Sequence, residues 1–296
     1  VYRILCLGGS TMYDSEIEPN HETFALQLEQ RLHGAGYSRV EVVNGAVSGY
    51  QSIESLIHLQ LRLLDLEPDM LLVYDNFNDI LARLVWPQSA YQGDGSGHTE
   101  AAAVHIARWT WQEDINLVRI ARRLLDPPSA AKAMLKFMAC FPDTALTAEF
   151  VTQLGHDSYP SGIFSTLDLD AVLDANPPRY FERNTRNLIH TARGNGIVPV
   201  FHTFRLCEAK QDIFSHPIFR RGVREHNAVL RQVCRELGAP LFDFEAAFPD
   251  DPALYADGIH HNAAGAARRA EIVAEHLVGT LFPSLPGAPR AEAAGL

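Results

Sequence analysis

Three short apolar runs limit what this chain can fold into. Ile4-Leu5-Cys6-Leu7, Val40-Glu41-Val42-Val43 and Met70-Leu71-Leu72-Val73-Tyr74 have strand length, and each ends in glycine or polar residues. Between them the apolar residues fall at helical spacing. Phe24, Leu28 and Leu32 precede Gly34 and Gly36; Ile53, Leu56, Ile57, Leu61 and Leu64 follow Ser52, which can cap a helix. Strand, helix, strand, helix, strand predicts a parallel sheet covered by helices on both faces. The class is α/β.

The rhythm breaks over about 86–176. Gly93 to Gly97 reads as a loop, Ala101 to Leu125 as a helix carrying Trp109 and Trp111, and Asp126-Pro127-Pro128 as its stop. Ala130 to Phe141 is again helical, and Gly155 to Gly162, with Tyr159 and Pro160, is a loop. A mainly helical insertion of this length suits a lid or a binding wall; its apolar residues can equally form a homo-oligomer surface or extend the core. The alternation then returns. Pro177-Pro178 opens a helix that ends at Gly194, Ile197 to Thr203 is a strand, Pro217 to Leu237 is an amphipathic helix, Pro240 to Phe244 is a short strand, and Ala263 to Leu281 is a closing helix. The expectation is one domain over 1–282 with the insertion inside it, then a Pro-, Ala- and Gly-rich tail over 283–296 without order.

Composition removes several function classes. With a net charge of −11, nucleic acid is a poor partner, since phosphate binding needs clustered Lys and Arg. Cys6, Cys140, Cys207 and Cys234 show no CxxC and no metal-ligand spacing, so no disulfide framework is expected, although a single bridge stays open. No apolar stretch is long enough to span a bilayer. The sequence starts at Val1, directly on a strand, which is compatible with a leader or anchor removed upstream. The compartment is left open.

The chemistry gathers at strand ends. Ser10 follows Leu7-Gly8-Gly9, at the edge where open α/β sheets place their ligands. Taken alone it reads either as a helix cap or as a nucleophile. Asp257-Gly258-Ile259-His260 tips the balance, because a serine needs a base and that base needs an acid to hold its tautomer. Asp257 can fold back onto one ring nitrogen of His260 while the other faces Ser10. Gly49, after the second strand, can offer a backbone N–H to an oxyanion, and Asn78, after the third, a side-chain amide. Other candidates have plainer readings: His202 and His261 as core histidines rather than metal ligands, Asp79 and Asp243 as loop caps, and Trp86, Trp109, Trp111 and Tyr159 as packing within the insertion rather than a pocket wall. Neither GxxxxGK[ST], GxGxxG nor G-x-S-x-G is present.

These residues resemble the motif blocks of the SGNH hydrolase superfamily, also called the GDSL lipase/esterase family. The matches are Gly8-Gly9-Ser10-Thr11, Asn44-Gly45-Ala46-Val47-Ser48-Gly49, Asn76-Phe77-Asn78-Asp79 and Asp257-Gly258-Ile259-His260, with Asn262 and Gly265 at familiar offsets. They cover roughly 1–79 and 177–281 and leave out the insertion. The resemblance implies a three-layer α/β/α sandwich with a parallel, flavodoxin-like sheet and needs no metal or cofactor. It implies Ser10 as nucleophile, His260 as base then acid, Asp257 as orienting acid, and an oxyanion hole of Ser10 N–H, Gly49 N–H and the Asn78 amide. The implied activity is hydrolysis of a carboxylic ester, such as an O-acetyl or short acyl ester of a small molecule or carbohydrate, through an acyl-enzyme. An O-acyltransferase on the same triad and a silent binding module are the alternatives. Two positions depart from the family pattern: Gly9 stands in place of an aspartate, and Asn76 in place of a glycine.

Overall fold

Strands β1 (Tyr2–Gly8), β2 (Val40–Asn44), β3 (Met70–Tyr74), β4 (Val198–His202) and β5 (Leu241–Phe242) form one parallel sheet in the order β2-β1-β3-β4-β5. This computed structural model describes residues 1–18, 22–85, 88–96, 169–210, 212, 214 and 216–291. The register sets Ile4 beside Val42 and Met70, and Met70 beside Val198, so the apolar runs align into a continuous floor. The strand order is the flavodoxin-like one, with the switch at β1 and β3, the place where open α/β sheets put their ligands at the carboxyl ends of the strands.

Alternate strand residues feed two helical layers. Leu5, Leu7, Leu71 and Val73 pack with Leu56 and Leu59 of α3 (Ser52–Leu61), Leu188 and Ile189 of a helix over Arg179–Gly194 (α5), and Leu230 and Val233 of a helix over Pro217–Leu237 (α6). Ile4 and Cys6, also fully buried, point to the opposite side. There α2 (Phe24–Gly34) packs on the helix Ala263–His276 (α7). Each such buried Leu or Ile contributes about 1.5–3 kcal/mol relative to exposure. The result is the three-layer α/β/α sandwich expected.

Several boundaries moved for local reasons. Ser52 is not the cap of α3; Gln51 is, in a capping box with Glu54, which leaves the Ser52 hydroxyl free for Asp79. The buried stripe of α3 is Ser52, Ser55, Leu56 and Leu59, whereas Ile57 and Leu61 are 47% and 74% exposed, so the apolar stripe read from the sequence was rotated. β5 is only two residues long, because the chain turns at Asp243 into a short helix over Phe244–Ala247. α7 stops at His276 and continues as a π-helical turn over Leu277–Leu281, followed by a helical turn over Phe282–Ser284.

The chain divides into two compact units, Val1–Ile80 with Pro178–Leu296, and Leu81–Pro177. Within the second, the buried Asn176 amide donates to the carbonyls of Arg83 and Val85, and Arg83 donates to the carbonyls of Leu173 and Asn176. Trp86, Trp109, Trp111, Tyr159, Cys140 and the helices expected over 101–141 lie outside the described residues. Cys6, Cys207 and Cys234 are buried and free. Among the described residues no helix is long and apolar enough to cross a membrane.

Candidate active site

The site is built in the first unit, at the carboxyl edge of the sheet. β1 ends at Gly8, where a Cβ would sit 2.6 Å from the Tyr74 carbonyl at the end of β3. Only glycine permits that approach. Gly9 then caps a single helical turn, α1 (Ser10–Tyr13), without any side-chain bond. Ser10 is therefore the first residue of the turn rather than its cap, and its hydroxyl is free for other work. Ser10 Oγ lies 2.8 Å from His260 Nε2, across 250 residues of sequence.

The loop carrying His260 is ordered by its own aspartate. Asp257 Oδ1 accepts the backbone N–H groups of Ile259 and His260 at 2.9 and 2.8 Å, and the Ala256 N–H donates to the His260 carbonyl at 2.8 Å. Asp257 Oδ2 is 2.7 Å from His260 Nδ1. Burial raises the Asp257 pKa, but the bonds from the His260 ring and from those two amides outweigh it and hold the carboxyl below its ordinary range. An ionised carboxylate can only accept, so Nδ1 carries the proton and Nε2 is left to accept from the Ser10 hydroxyl. Behind the loop, the Asn262 side chain caps α7 by accepting from Gly265 N–H at 3.0 Å. A Cβ at Gly265 would run into the Leu254 carbonyl, which accounts for both familiar offsets.

Beside the Ser10 N–H, the other two expected oxyanion donors come from loops that are bonded to the nucleophile's strand and to each other. Gly45 and Val47 donate to the carbonyls of Cys6 and Gly8 at 2.9 and 3.0 Å. Gly49, at φ +85°, holds a left-handed turn that favours glycine. Asn78 lies in α4 (Phe77–Arg83), and its Nδ2 donates to the Tyr50 carbonyl at 2.8 Å. An amide nitrogen has two hydrogens, so one remains for another acceptor. Asp79 accepts the Ser52 N–H at 3.0 Å and also the Ser52 hydroxyl, which ties the start of α3 to α4. Burial, opposed by those bonds, pushes Asp79 up to about 7.

Both departures from the family pattern have physical reasons. At Gly9 a Cβ would stand 2.7 Å from Asn78 Nδ2 and 2.8 Å from the Tyr50 carbonyl, so the Asn78 amide occupies the space of a side chain. Asn76 is buried, and its amide donates to Asn227 Oδ1 at 3.1 Å; Asn227 in turn bonds both backbone groups of Phe204. Of the remaining candidates, His202 and His261 sit in the core. His202 is buried among Tyr74, Phe242 and Phe244, His261 among Phe248 and Tyr255, and burial lowers both pKa values well below the ordinary range. Asp243 accepts from Thr203 and Arg231. Among the described residues no group of His, Cys, Asp or Glu could hold a metal ion.

The sequence reading passed over two residues beneath Ser10. Asp14 closes α1 at φ +63° and accepts the Phe24 N–H, and Arg269 of α7 lies fully buried against Thr11 and Met12. A signal was present: Ala266, Ala270 and Val273 mark the inward face of α7, and Arg269 falls on it. The neighbouring Arg268 hides which member of the pair points inward.

No known family model matches the sequence, and no curated protein matches it. Solved structures do. A lipase/acylhydrolase from Enterococcus faecalis is similar at 14% identity over 97% of this chain and 100% of its own, with a TM-score of 0.52. The acetyl xylan esterase Axe2 from Geobacillus stearothermophilus is similar at 14% identity over 99% and 97%, with a TM-score of 0.51. The psychrotrophic esterase EstA from Pseudoalteromonas sp., in a structure inhibited by monoethylphosphonate, is similar at 12% identity over 95% and 99%, with a TM-score of 0.52. With the strand order and the place of the site on the sheet, these likenesses show that the chain has the SGNH hydrolase fold anticipated from its four motifs.

Proposed function

We propose that the protein is a serine hydrolase of carboxylic esters, with Ser10 as nucleophile, His260 as base and then acid, and Asp257 as the acid that holds the histidine. The observation that carries this reading is the unbroken relay from Ser10 Oγ to His260 Nε2 at 2.8 Å and from His260 Nδ1 to Asp257 Oδ2 at 2.7 Å. Ser10 Oγ attacks the ester carbonyl as its proton passes to His260 Nε2, and the tetrahedral oxyanion is stabilised by the N–H groups of Ser10 and Gly49 and by the Asn78 amide. The bond to the alcohol oxygen breaks as His260 returns the proton to it. Water then attacks the acyl-enzyme with His260 as base, and Ser10 recovers its proton as the acid leaves. No metal or cofactor enters these steps.

The substrate class that fits best is a short acyl ester, such as an O-acetyl group on a small molecule or carbohydrate, in keeping with the acetyl xylan esterase among the similar folds. The first test is intact mass after treatment with a fluorophosphonate probe, on the parent protein and on Ser10→Ala. One adduct on the parent and none on the variant is expected. A well-folded parent that takes up no probe overturns the reading.

A further inference from the structure

Beneath the nucleophile turn lies a cation that the ester-hydrolase steps leave unused. Arg269 is fully buried; its Nη1 donates to the Thr11 carbonyl at 2.9 Å and its Nη2 contacts the Met12 sulfur at 3.3 Å. The guanidinium carbon lies 4.2 Å from the ring centroids of Phe24 and of Tyr74, and 5.5 Å from that of Phe244. Among the described residues it forms no direct ion pair. Its charge is nonetheless felt by Cys6, Asp14, Tyr74, His202 and His261 around it.

Two physical points give this arrangement a purpose. A helix of one turn cannot hold itself, because the first turn fixes several dihedrals for a single hydrogen bond. α1 is such a turn, so Ser10 stays where its surroundings put it, and Thr11 and Met12, the next two residues, are those Arg269 grips. Burying an unpaired cation is also costly, and an apolar side chain of similar volume would fill the space without that cost. Shape alone therefore gives no reason for an arginine. The far end of α1 is secured by Asp14, whose Oδ2 accepts the Phe24 N–H at 2.5 Å.

We propose that Arg269 is a positioning residue for the nucleophile: its guanidinium, bonded to Thr11 and set against Met12, clamps α1 from below and keeps Ser10 Oγ on His260 Nε2. This role rests on Ser10 being the nucleophile. The test compares the parent with Arg269→Gln, which keeps a donor and loses the charge, and Arg269→Lys, which keeps the charge and loses the fork. The readouts are the rate of fluorophosphonate labelling at Ser10 and the separate kcat and KM for p-nitrophenyl acetate, all measured well below each variant's melting temperature. Labelling and kcat are expected to fall about a hundredfold in Arg269→Gln and about tenfold in Arg269→Lys, with KM little changed, as a small misplacement of a reacting group does. A lower melting temperature with parental labelling and kcat would reduce Arg269 to a packing role and overturn the proposal. Equal losses in the two variants would overturn the part played by charge. If Arg269→Gln does not fold, a folded Arg269→Lys that labels at the parental rate overturns the clamp by itself. A parent that takes no probe sinks the serine reading, and the role of Arg269 with it; a labelled parent with unaffected variants sinks only the latter.

Discussion

Gly9 sits in a tight gap between the nucleophile and the Asn78 amide expected to face it. The Asn78 amide and the Tyr50 carbonyl both reach the space a Cβ would fill. An aspartate there must displace Asn78, the residue proposed to meet the developing oxyanion. Gly9→Asp is therefore expected to lower kcat by about 10²–10³, the scale of losing one oxyanion donor, with KM nearly unchanged. Steady-state kinetics on p-nitrophenyl acetate would read this directly. A variant with parental kcat would show that the Asn78 amide can move without consequence, and would remove it from the proposed oxyanion hole.

The join between α3 and α4 is held by buried polar bonds. Asp79 takes two bonds from Ser52, and the buried Asn184 amide of α5 donates to the same hydroxyl at 2.9 Å. Replacing that hydroxyl leaves the Asn184 donor and one Asp79 oxygen short of a partner. Ser52→Ala is expected to cost about 1–3 kcal/mol, the usual penalty for stranding buried polar groups, read as a lower midpoint in urea. Periodicity could not reveal this join. Ser52 reads as an ordinary N-cap in sequence, and only the capping box of Gln51 with Glu54 releases its side chain to cross between helices.

Across the whole molecule, buried ionisable groups set how stability responds to pH. Burial raises Asp14 to about 6, Asp79 to about 7 and Asp75 well above its ordinary value of 3.8. An acid with a raised folded-state pKa binds its proton more tightly when folded, so its contribution to stability declines as pH rises from the unfolded pKa through the folded one. His202 and His261, lowered well below 6.5 by burial, act in the opposite sense, but only below about pH 6.5, where the unfolded chain would protonate them. Between about pH 6.5 and 8 the carboxylates act with little opposition, and the melting temperature is expected to fall. Calorimetry across that window in the parent and in Asp79→Asn would measure it; a flat parent profile would mean that Asp75 and Asp79 are better solvated than their burial indicates. The window lies above most of the titration of Asp14, which keeps this test separate from the role given to Arg269.

What the sequence determined by itself was the α/β alternation, the strand ends and the order of the four motifs. These depend on period, on glycine at sharp ends and on local reach: Asp257 meets His260 within one short loop, and Gly49 needs only its own backbone to turn. Tertiary structure alone decided which faces of the helices turn inward and what meets there. Ile57 and Leu61 were left to solvent while Ser52 and Ser55 were buried, and Gly9 was emptied of any side chain by a neighbour from another loop. Arg269 was drawn beneath a serine 259 positions away, as its bond to Thr11 at a separation of 258 shows. The reason is physical. Helical period indicates that a face is buried, but the partners of a buried polar group are chosen by packing among distant segments.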